Sequence, residues 1–294
     1  MAKITCFGEV LFDLFPTGKK LGGAPLNVAY RLNALGNEVQ MISKIGNDSN
    51  GTELRNDLKQ NQLDTSLIQT DDTLNTGVVK VTLNDKGSAS YEIVYPCAWD
   101  RINLTQEALN TVANADAFVF GSLVARDPVS KETLFALLEA ANYSIFDVNL
   151  RKPFYHIDLL FQGMQKANFI KCNDEELYEI CALLGSKFHS LEQNITFLAQ
   201  QTNTSAICVT KGEFGAVLLY KDAWYYNSGF KIKVKDTVGA GDSFLATLID
   251  GLLNGTEPQQ AINRACAVGA LVAGSEGANP TISNEVIANF INPT

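Results

Sequence analysis

The residues best suited to chemistry lie between Asp236 and Asp242, in the run Asp-Thr-Val-Gly-Ala-Gly-Asp. Two glycines at the start of a predicted helix leave backbone N–H groups approachable, and the helix dipole adds partial positive charge, so this run suits an anion. Asp242 lies beside the anion site, where it is placed to take a proton from an attacking hydroxyl. Taken alone, Asp242 is better explained as a first-turn acid that complements the helix dipole.

The flanks of this run predict the elements that position it. Residues 229–235 alternate apolar and polar side chains, which predicts a half-buried strand with the lysines 231, 233 and 235 on its solvated face. Residues 244–253 repeat apolar side chains every three or four positions up to Gly255, which predicts an amphipathic helix. The candidate anion site therefore lies at a strand-to-helix junction.

A second glycine-rich helix start lies near the beginning of the chain. Gly22 and Gly23 allow close approach of the backbone to a ligand, Pro25 suits the first helical turn, and Gly36 is a good helix stop. Asn27 falls in the first turn of this helix. It either faces the ligand or makes a local capping hydrogen bond, and both interpretations stay open.

Strands and helices alternate along most of the chain, which predicts an α/β fold. Strands are predicted at 4–8, 38–44, 117–121, 144–148, 167–171 and 206–210. Polar side chains follow several of them, at Asp13, at Ser122 and Arg126, at 147–151 and at 173–176. Each group alone is explained by a loop and a helix cap. Because the carboxyl ends of parallel strands share one edge of a sheet, where ligands bind, we expect these groups to converge.

A predicted β-hairpin interrupts this alternation. Residues 76–83 and 90–95 alternate as strands around the turn-rich residues 84–87. We expect this hairpin to form a β lid that excludes water from the site. Trp99 and Asp100 follow it and offer an aromatic face and an acid. The apolar alternation around Val79 and Val81 leads to the further hypothesis that the lid pairs two subunits.

Composition bounds the class of protein. With 294 residues, 46% of them apolar, the chain suits one large α/β domain with an elaboration, or two smaller domains. Its net charge of −9 argues against nucleic acid and anionic membranes as partners and favours a small substrate. The six scattered cysteines indicate reduced core thiols, the two histidines lack zinc-ligand spacing, and there is no Gly-x-Ser-x-Gly motif. Without a signal peptide or a long apolar run, the expected location is the cytoplasm.

Together, the two glycine-containing helix starts resemble the two signatures of the ribokinase-like sugar kinases, the PfkB family. Residues 22–29, Gly-Gly-Ala-Pro-Leu-Asn-Val-Ala, look like the first signature, and residues 236–244 look like the second. Their order and separation match the family from end to end. Residues 8–13, 120–123 and 147–151 look most like the fructokinase branch, although Val148 stands where that branch often has proline.

The resemblance implies a fold and a set of catalytic roles. The fold would be a single ribokinase-like α/β domain over residues 1–294, with an open, mostly parallel sheet flanked by helices and a small β-sheet lid from about 10–22 and 75–103. Asp242 would be the catalytic base. The anion hole for the transferring phosphoryl group would comprise Gly239, Ala240 and Gly241, with Arg151 adding positive charge.

The same resemblance implies binding residues. Sugar contacts would be made by Asp13, Gly23, Asn27, Asn149 and Arg151, to which we add Trp99 for its position after the hairpin. Asn173 would bind cofactor and Glu176 would organise Mg²⁺ indirectly. ATP would lie against Thr210, Gly212, Gly215, Gly241 and Asn263. K⁺ could bind beside the backbone carbonyls of Asp236 and Val238.

These observations predict an ATP- and Mg²⁺-dependent sugar kinase that phosphorylates fructose at its 6-hydroxyl and forms a homodimer through the lid. One alternative keeps the fold and changes the substrate to 2-keto-3-deoxygluconate, ribose or a nucleoside. Another is a kinase-like binding protein without turnover. A Rossmann dehydrogenase is disfavoured, because Phe244 stands where the dinucleotide-binding fingerprint needs a small residue.

Overall fold

The computed structural model describes residues 1–16, 18–83 and 89–293. Its strands, in chain order, are β1 (Lys3–Phe7), β2 (Leu11–Phe15), β3 (Gly18–Gly22), β4 (Glu38–Gly46), β5 (Ile68–Asp71), β6 (Gly77–Leu83), β7 (Ala89–Ile93), β8 (Ala117–Gly121), β9 (Ser144–Asp147), β10 (Phe169–Asn173), β11 (Ala206–Thr210), β12 (Ala216–Tyr220) and β13 (Ala223–Asn227). Its helices are α1 (Ala24–Ala34), α2 (Ser49–Gln60), α3 (Gln106–Ala113), α4 (Pro128–Ala140), α5 (Ile157–Lys166), α6 (Asp174–Leu183), α7 (Leu191–Thr202), α8 (Ala240–Leu253), α9 (Pro258–Ala273) and α10 (Asn284–Ile291).

Nine of the described strands form a large sheet in the order β13-β12-β11-β10-β9-β8-β1-β4-β5. All neighbouring pairs from β5 to β11 are parallel, and β12 and β13 are added antiparallel. The chain runs outward from β1 to β4 and β5, then returns to β8 and continues in the other direction. The connections therefore reverse beside β1, and ligands bind at such a switch point in open α/β sheets.

The central strands are buried on both faces, which is why they are nearly continuous apolar runs. Apart from Lys3, which begins β1, the residues of β1, β8 and β9 are buried. On one face they pack with α1, α8 and α9, and on the other with α4 to α7. Phe120 and Phe146 stack in parallel on the second face, with ring centroids 4.6 Å apart. The predicted α/β layers are confirmed.

Four further strands form a small sheet in the order β3-β2-β6-β7. The predicted hairpin is present as the antiparallel pair β6 and β7, and its turn at 84–87 lies outside the described residues. The strand β2 pairs with β6 in parallel and with β3 antiparallel. Asp13 therefore lies on a strand of the small sheet and faces its cross-strand partner, Lys20.

The predicted strand at 229–235 was wrong. The ladder ends at Asn227, and the segment that follows has no regular secondary structure. Gly229 turns the chain away with a φ of +84°, and a side chain there would collide with the carbonyl of Glu213. The N–H groups of Lys235 and Asp236 then donate to the carbonyl of Ala273, at the end of α9. The alternation of side chains is real, but no strand pairs with this segment.

Two remaining sequence expectations concern the cysteines and the membrane. All six cysteines are buried and free. Among the described helices, none combines the length and the apolar character that crossing a bilayer requires.

Candidate active site

The glycine turn before α8 has the geometry of an anion site. Gly239 precedes the helix in the left-handed region, with φ of +76°, and a β-carbon on it would lie 2.6 Å from the carbonyl oxygen of Ala278. Asp236 stabilises the turn because its Oδ1 accepts a hydrogen bond from the N–H of Val238, at 3.0 Å. Ala240 and Gly241 begin the helix, so their N–H groups lie in the turn that lacks intrahelical acceptors.

Asp242 joins the two glycine-rich helix starts. Its Oδ2 accepts a hydrogen bond of 2.8 Å from Nδ2 of Asn27, which lies 215 residues earlier on α1. Asn279 donates in turn to Oδ1 of Asn27, at 2.9 Å. The Asn27 side chain is thus oriented at both ends and is 4% exposed. Of its two predicted roles, the structure favours the contact across the site, because Asn27 makes no side-chain cap.

Burial raises the pKa of Asp242 to about 6, and the negative charge of Asp147 adds to this effect. The charge of Lys171, the hydrogen bond from Asn27 and the charge of Arg151 oppose the rise. A carboxylate with a pKa near 6 is mostly ionised at neutral pH and is a stronger base than an ordinary aspartate. This environment suits proton acceptance.

A buried ammonium lies next to the glycine turn. Nζ of Lys171, on β10, forms an ion pair of 2.9 Å with Oδ1 of Asp147, on β9, and both side chains are less than a tenth exposed. A β-carbon on Gly241 would lie 3.4 Å from this Nζ. Although burial alone would lower it, the charges of Asp147, Glu176 and Asp242 raise the pKa of Lys171 above its usual value. The turn therefore has a permanent positive charge beside it.

Asn173 and Glu176 form a capping box at the start of α6. Oδ1 of Asn173 accepts from the N–H of Glu176 at 2.8 Å, and Oε2 of Glu176 accepts from the N–H of Asn173 at 2.9 Å. Oε1 of Glu176 also accepts from the N–H of Leu150 at 2.8 Å, which fixes the loop after β9. Across the described ranges, no three His, Cys, Asp or Glu side chains converge as metal ligands. The predicted contact of Glu176 with Mg²⁺ through water stays a prediction.

Two of the predicted sugar-contacting residues, Asn27 and Arg151, act directly on Asp242. The exposed Arg151 exerts its charge on Asp13, Asp242 and Glu9. Burial raises the pKa of Asp13 to about 6, against the opposing charges of Arg151 and Lys20. Asn149 lies after β9 with φ of +40°, and its carbonyl accepts a weak hydrogen bond from Ser122.

Gly23 allows a close approach of backbone segments, because a side chain there would collide with the carbonyl of Glu9. Gly23 thus holds the start of α1 against the residues that follow β1.

Trp99 does not offer its aromatic face to a ligand, so that interpretation needs correction. The side chain is completely buried, and the guanidinium of Arg126 covers the ring at 4.0 Å. Arg126 is itself held by Asp100, through bonds of 2.7 and 2.9 Å. The edge of the indole packs against Gly77 of the small sheet. Trp99 therefore stabilises the junction between the small sheet and the core.

Most of the predicted nucleotide-binding residues lie at the end of β11, in the loop that follows it, and on α9. Thr210 ends β11, Gly212 follows it, and Gly215 packs against the backbone of Asn227. Nδ2 of Asn227 donates to Oδ1 of Asn263 on α9, at 2.8 Å. Asn227 thus connects Gly215 with Asn263, and the structure brings these predicted residues into one region.

Four buried side-chain atoms in the described part of the chain have no hydrogen-bond partner: Glu9 Oε2, Trp99 Nε1, Arg126 Nη1 and Asp147 Oδ2. Buried polar groups are normally paired, because an unpaired one costs about 1–3 kcal/mol. All four side chains come from segments that follow β1, β7 and β8 or that end β9. The two donors, on Trp99 and Arg126, belong to the buried junction with the small sheet, whereas the two acceptors, on Glu9 and Asp147, lie at the carboxyl ends of β1 and β9, where a polar ligand would bind.

Sequence reasoning missed several charged groups of this site. Asp147 begins the polar group 147–151, for which convergence is expected, but the sequence assigns it no role of its own. Lys171 is the middle residue of β10, and a lysine within a buried strand was a usable signal. Glu9 follows the buried strand β1, and an acid at that position was also a usable signal. Burial raises the pKa of Glu9 to about 7. Lys20 and Asn279 carried no comparable signal, because their contacts lie 216 and 252 residues away along the chain.

A groove of about 1410 Å³ runs from the small sheet along α1 and α9 to α10. Asp13, Lys20, Val238 and Asn279 line one end of it, and Asp242 is not among the residues that line it. The groove therefore reaches the site at its Asp13 end.

Comparison with known proteins identifies one family. A family model described as pfkB family carbohydrate kinase matches residues 1–285. Fructokinase of Salmonella typhimurium is 27% identical, over 94% of this chain and 95% of its own length. The match thus includes both helix starts and nearly all of the large sheet.

Solved structures agree with this fold. Fructokinase from Xylella fastidiosa, with bound ATP, has a TM-score of 0.85 at 23% identity and covers 98% of both chains. A double mutant of Vibrio cholerae fructokinase, with fructose, ADP and potassium ion, has a TM-score of 0.84 at 23% identity over 99% of both chains. Aminoimidazole riboside kinase from Salmonella enterica has a TM-score of 0.82 at 23% identity, over 99% of this chain and 100% of that one. At these identities the likeness shows the fold.

The buried ion pair beside the glycine turn leads to a stability prediction. Lys171→Met leaves Asp147 buried without its partner, so we expect it to lower the free energy of unfolding by about 3–5 kcal/mol. The double variant Lys171→Met with Asp147→Leu replaces the pair by apolar groups and should recover most of that loss. Urea unfolding of the ligand-free protein measures both.

The control is Lys166→Met, which removes an exposed ion pair of 2.6 Å with Glu139 and should cost less than about 1 kcal/mol. A Lys171→Met protein as stable as the wild type would contradict the inferred cost of the unpaired charge.

Proposed function

The chain belongs to the PfkB family of carbohydrate kinases, and on that premise we propose that it transfers the γ-phosphate of ATP to the 6-hydroxyl of fructose. The observation that carries this proposal is the hydrogen bond between Asn27 and Asp242. It links a carboxylate with a raised pKa, at the start of the helix after the glycine turn, to α1, and the charge of Arg151 acts on both Asp242 and Asp13. A hydroxyl bound on one side of Asp242 would then face a phosphate bound on the other.

In the proposed reaction, Asp242 orients the sugar hydroxyl and accepts its proton as the hydroxyl attacks. Phosphoryl transfer depends mainly on positioning and on stabilising negative charge, rather than on covalent chemistry by the protein. The N–H groups of Gly239, Ala240 and Gly241 and the ammonium of Lys171 would provide that stabilisation. Arg151 adds a second, more exposed positive charge on the sugar side.

The acceptor side suits a polyhydroxylated ligand. Asp13, Asn27, Asn149 and Arg151 would supply the sugar contacts, beside the close approach at Gly23. Each sugar hydroxyl needs both a donor and an acceptor once it leaves water, and a site with such groups rejects ligands that lack the hydroxyls. The same chemistry would serve several sugars, so the identity of the sugar rests on the fructokinases among the relatives.

The nucleotide and ion sites are part of the same proposal. ATP would lie against Thr210, Gly212, Gly215, Gly241 and Asn263. The oxygen groups nearby fit Mg²⁺, because Asp147 retains a buried oxygen without a protein partner. Asn173 and Glu176 would hold the ion through water, and the bound ion would neutralise phosphate charge. K⁺ would bind backbone carbonyls at Asp236 and Val238, a suggestion supported by the potassium-bound fructokinase of Vibrio cholerae.

We propose that the small sheet, with the segments at about 10–22 and 75–103, acts as a lid over the sugar. It already contributes Asp13 to the acceptor side. Closing it would exclude water, which would otherwise compete with the sugar as the phosphoryl acceptor.

A panel of acceptors in a coupled ADP-release assay tests the substrate. We expect fructose to give the highest kcat/KM among fructose, ribose, 2-keto-3-deoxygluconate and aminoimidazole riboside. The last belongs in the panel because a kinase for it shares this fold. A higher kcat/KM for any of the other three would overturn fructose while leaving the kinase intact. Absence of turnover with every sugar, with and without K⁺, would favour a binding protein.

Substitution of the base tests the mechanism. Asp242→Asn should lower kcat by roughly 10²- to 10⁴-fold and leave the affinity for ATP nearly unchanged, because it removes a proton acceptor without removing volume. Asp250→Asn is the control, since this carboxylate lies later on α8 and bonds to Asn37. Near-normal turnover of Asp242→Asn would remove Asp242 from the mechanism.

The raised pKa of Asp242 predicts a pH dependence. The base acts as a carboxylate, and its pKa is about 6, so kcat/KM for the sugar should rise with pH through about 6 and level off above it. If Asp242 had the pKa of an ordinary aspartate, the acid limb of the profile, where kcat/KM rises with pH, would be centred at about pH 4. A profile that stays flat from pH 7 down to 5 would show that no carboxylate with a raised pKa limits the reaction.

The homodimer through the lid stays a prediction from the apolar alternation around Val79 and Val81. Both side chains are already buried within the single chain, so a partner would have to pack on the outer face of the small sheet. Light scattering should give twice the mass of the 32.0 kDa chain at assay concentration. Charged substitutions on the outer face of the small sheet should then produce monomers. A wild-type monomer at that concentration would contradict the prediction.

A further inference from the structure

The ammonium of Lys20 lies between the acceptor side of the site and the glycine turn. Its Nζ is 3.3 Å from Oδ2 of Asp236, the residue that begins the turn. Lys20 belongs to β3 of the small sheet, and 216 residues separate the two partners. Asp236 uses its other oxygen to hold the N–H of Val238. This ion pair therefore connects the small sheet to residues 236–238, which set the geometry of the glycine turn.

Lys20 is linked to the acceptor side as well. Asp13 and Lys20 are directly opposite each other in the antiparallel pair β2 and β3. Opposite residues of such a pair project from the same face of the sheet, so the two side chains share one surface. Lys20, Arg151 and Asp236 are the charged groups that act on Asp13, and the first two favour its ionised form.

We propose that Lys20 is a positioning residue that couples the sugar site to the phosphate site. Its ammonium pairs with the carboxylate of Asp236 at the glycine turn and lies opposite Asp13 across the strand pair β2 and β3. By holding Asp236 it keeps the small sheet in register with the turn, and by facing Asp13 it keeps that carboxylate ionised to accept a hydrogen bond from the sugar. This inference rests on the proposed function, because it assigns Asp13 to the acceptor.

The neighbouring lysine provides a matched control. Lys19 lies on the same strand, but adjacent residues of a strand project from opposite faces. Its Nζ pairs with Glu53 at 2.6 Å and lies 4.5 Å from the ring of Phe12, away from Asp236. Lys19→Met therefore removes the same charge and the same kind of partly exposed ion pair from the other face of the small sheet.

The test compares Lys20→Met, Lys20→Arg and Lys19→Met in the full chain, with fructose and ATP as the probes. We expect Lys20→Met to lower kcat/KM for fructose roughly fivefold, the scale of one partly exposed ion pair, with little change in KM for ATP. The acid limb of the pH profile of kcat/KM reports Asp13 as well as Asp242, because both have a pKa of about 6. In Lys20→Met this limb should move to higher pH, because the charge that favours ionised Asp13 is lost. Lys20→Arg should restore both values, and Lys19→Met should match the wild type.

Two results would overturn the proposal. One is an unchanged acid limb and an unchanged kcat/KM in Lys20→Met. The other is an equal change in Lys19→Met, which would indicate general loosening of the small sheet.

Failure of the proposed function is distinguished by a measurement that needs no turnover. Carbon-13 NMR of the Asp13 carboxyl should give a higher pKa in Lys20→Met than in Lys19→Met, even if no sugar is phosphorylated. Equal pKa values of Asp13 in the two variants would overturn the role of Lys20 independently of the substrate.

Discussion

The hydrogen bond from Asn27 to Asp242 is the contact on which the site depends. It joins the first turns of α1 and α8, which belong to opposite ends of the chain. A second bond supports it, because Nε of Arg31, one turn after Asn27 on α1, donates to Oγ of Ser243, the residue after Asp242, at 3.1 Å. The two helices pack on the same face of the large sheet. Through this contact Asp242, which lies beside the glycine turn, also lies beside α1, which carries the acceptor-side residue Asn27.

The charges around this contact are expensive to bury, and their arrangement indicates function rather than stability. Burial raises the pKa values of Glu9, Asp13 and Asp242, so each carboxylate, when ionised, destabilises the folded state. Lys171 and Arg151 offset part of this cost. A fold under selection for stability alone would replace such groups with apolar ones. Perturbed carboxylates and unpaired polar atoms at one sheet edge are typical of a site that a polar ligand completes.

The small sheet has two kinds of attachment to the rest of the protein. At the end of β7 the attachment is buried, with Trp99 stacked on Arg126, which pairs with Asp100. At β3 it consists of partly exposed ion pairs, Lys20 with Asp236 and Lys19 with Glu53. A strong anchor on one side and a weak, charge-dependent one on the other are compatible with closure over a ligand. The buried attachment also explains why Trp99, although close to the lid in sequence, stabilises the fold and does not contact a ligand.

The sequence by itself determined the elements whose cause is local. The buried strands follow from continuous apolar runs, α8 follows from its apolar stripe, and the anion-binding turn follows from glycines that tolerate positive φ. The resemblance to a kinase family extended these local predictions to the whole fold. Asp242 was found because the residues that define its role are its immediate neighbours in the chain.

Only the tertiary structure decided what depends on distant partners. Residues 229–235 alternate as a strand does, but a strand also needs a neighbouring strand to pair with, and none is available after Gly229. Trp99 has a ring that could stack on a sugar, but Arg126 covers it. Lys171, Glu9 and Lys20 became parts of the site through contacts that no local pattern encodes. Burial and pairing are properties of the folded chain, and they separate a residue that binds a ligand from one that holds the fold together.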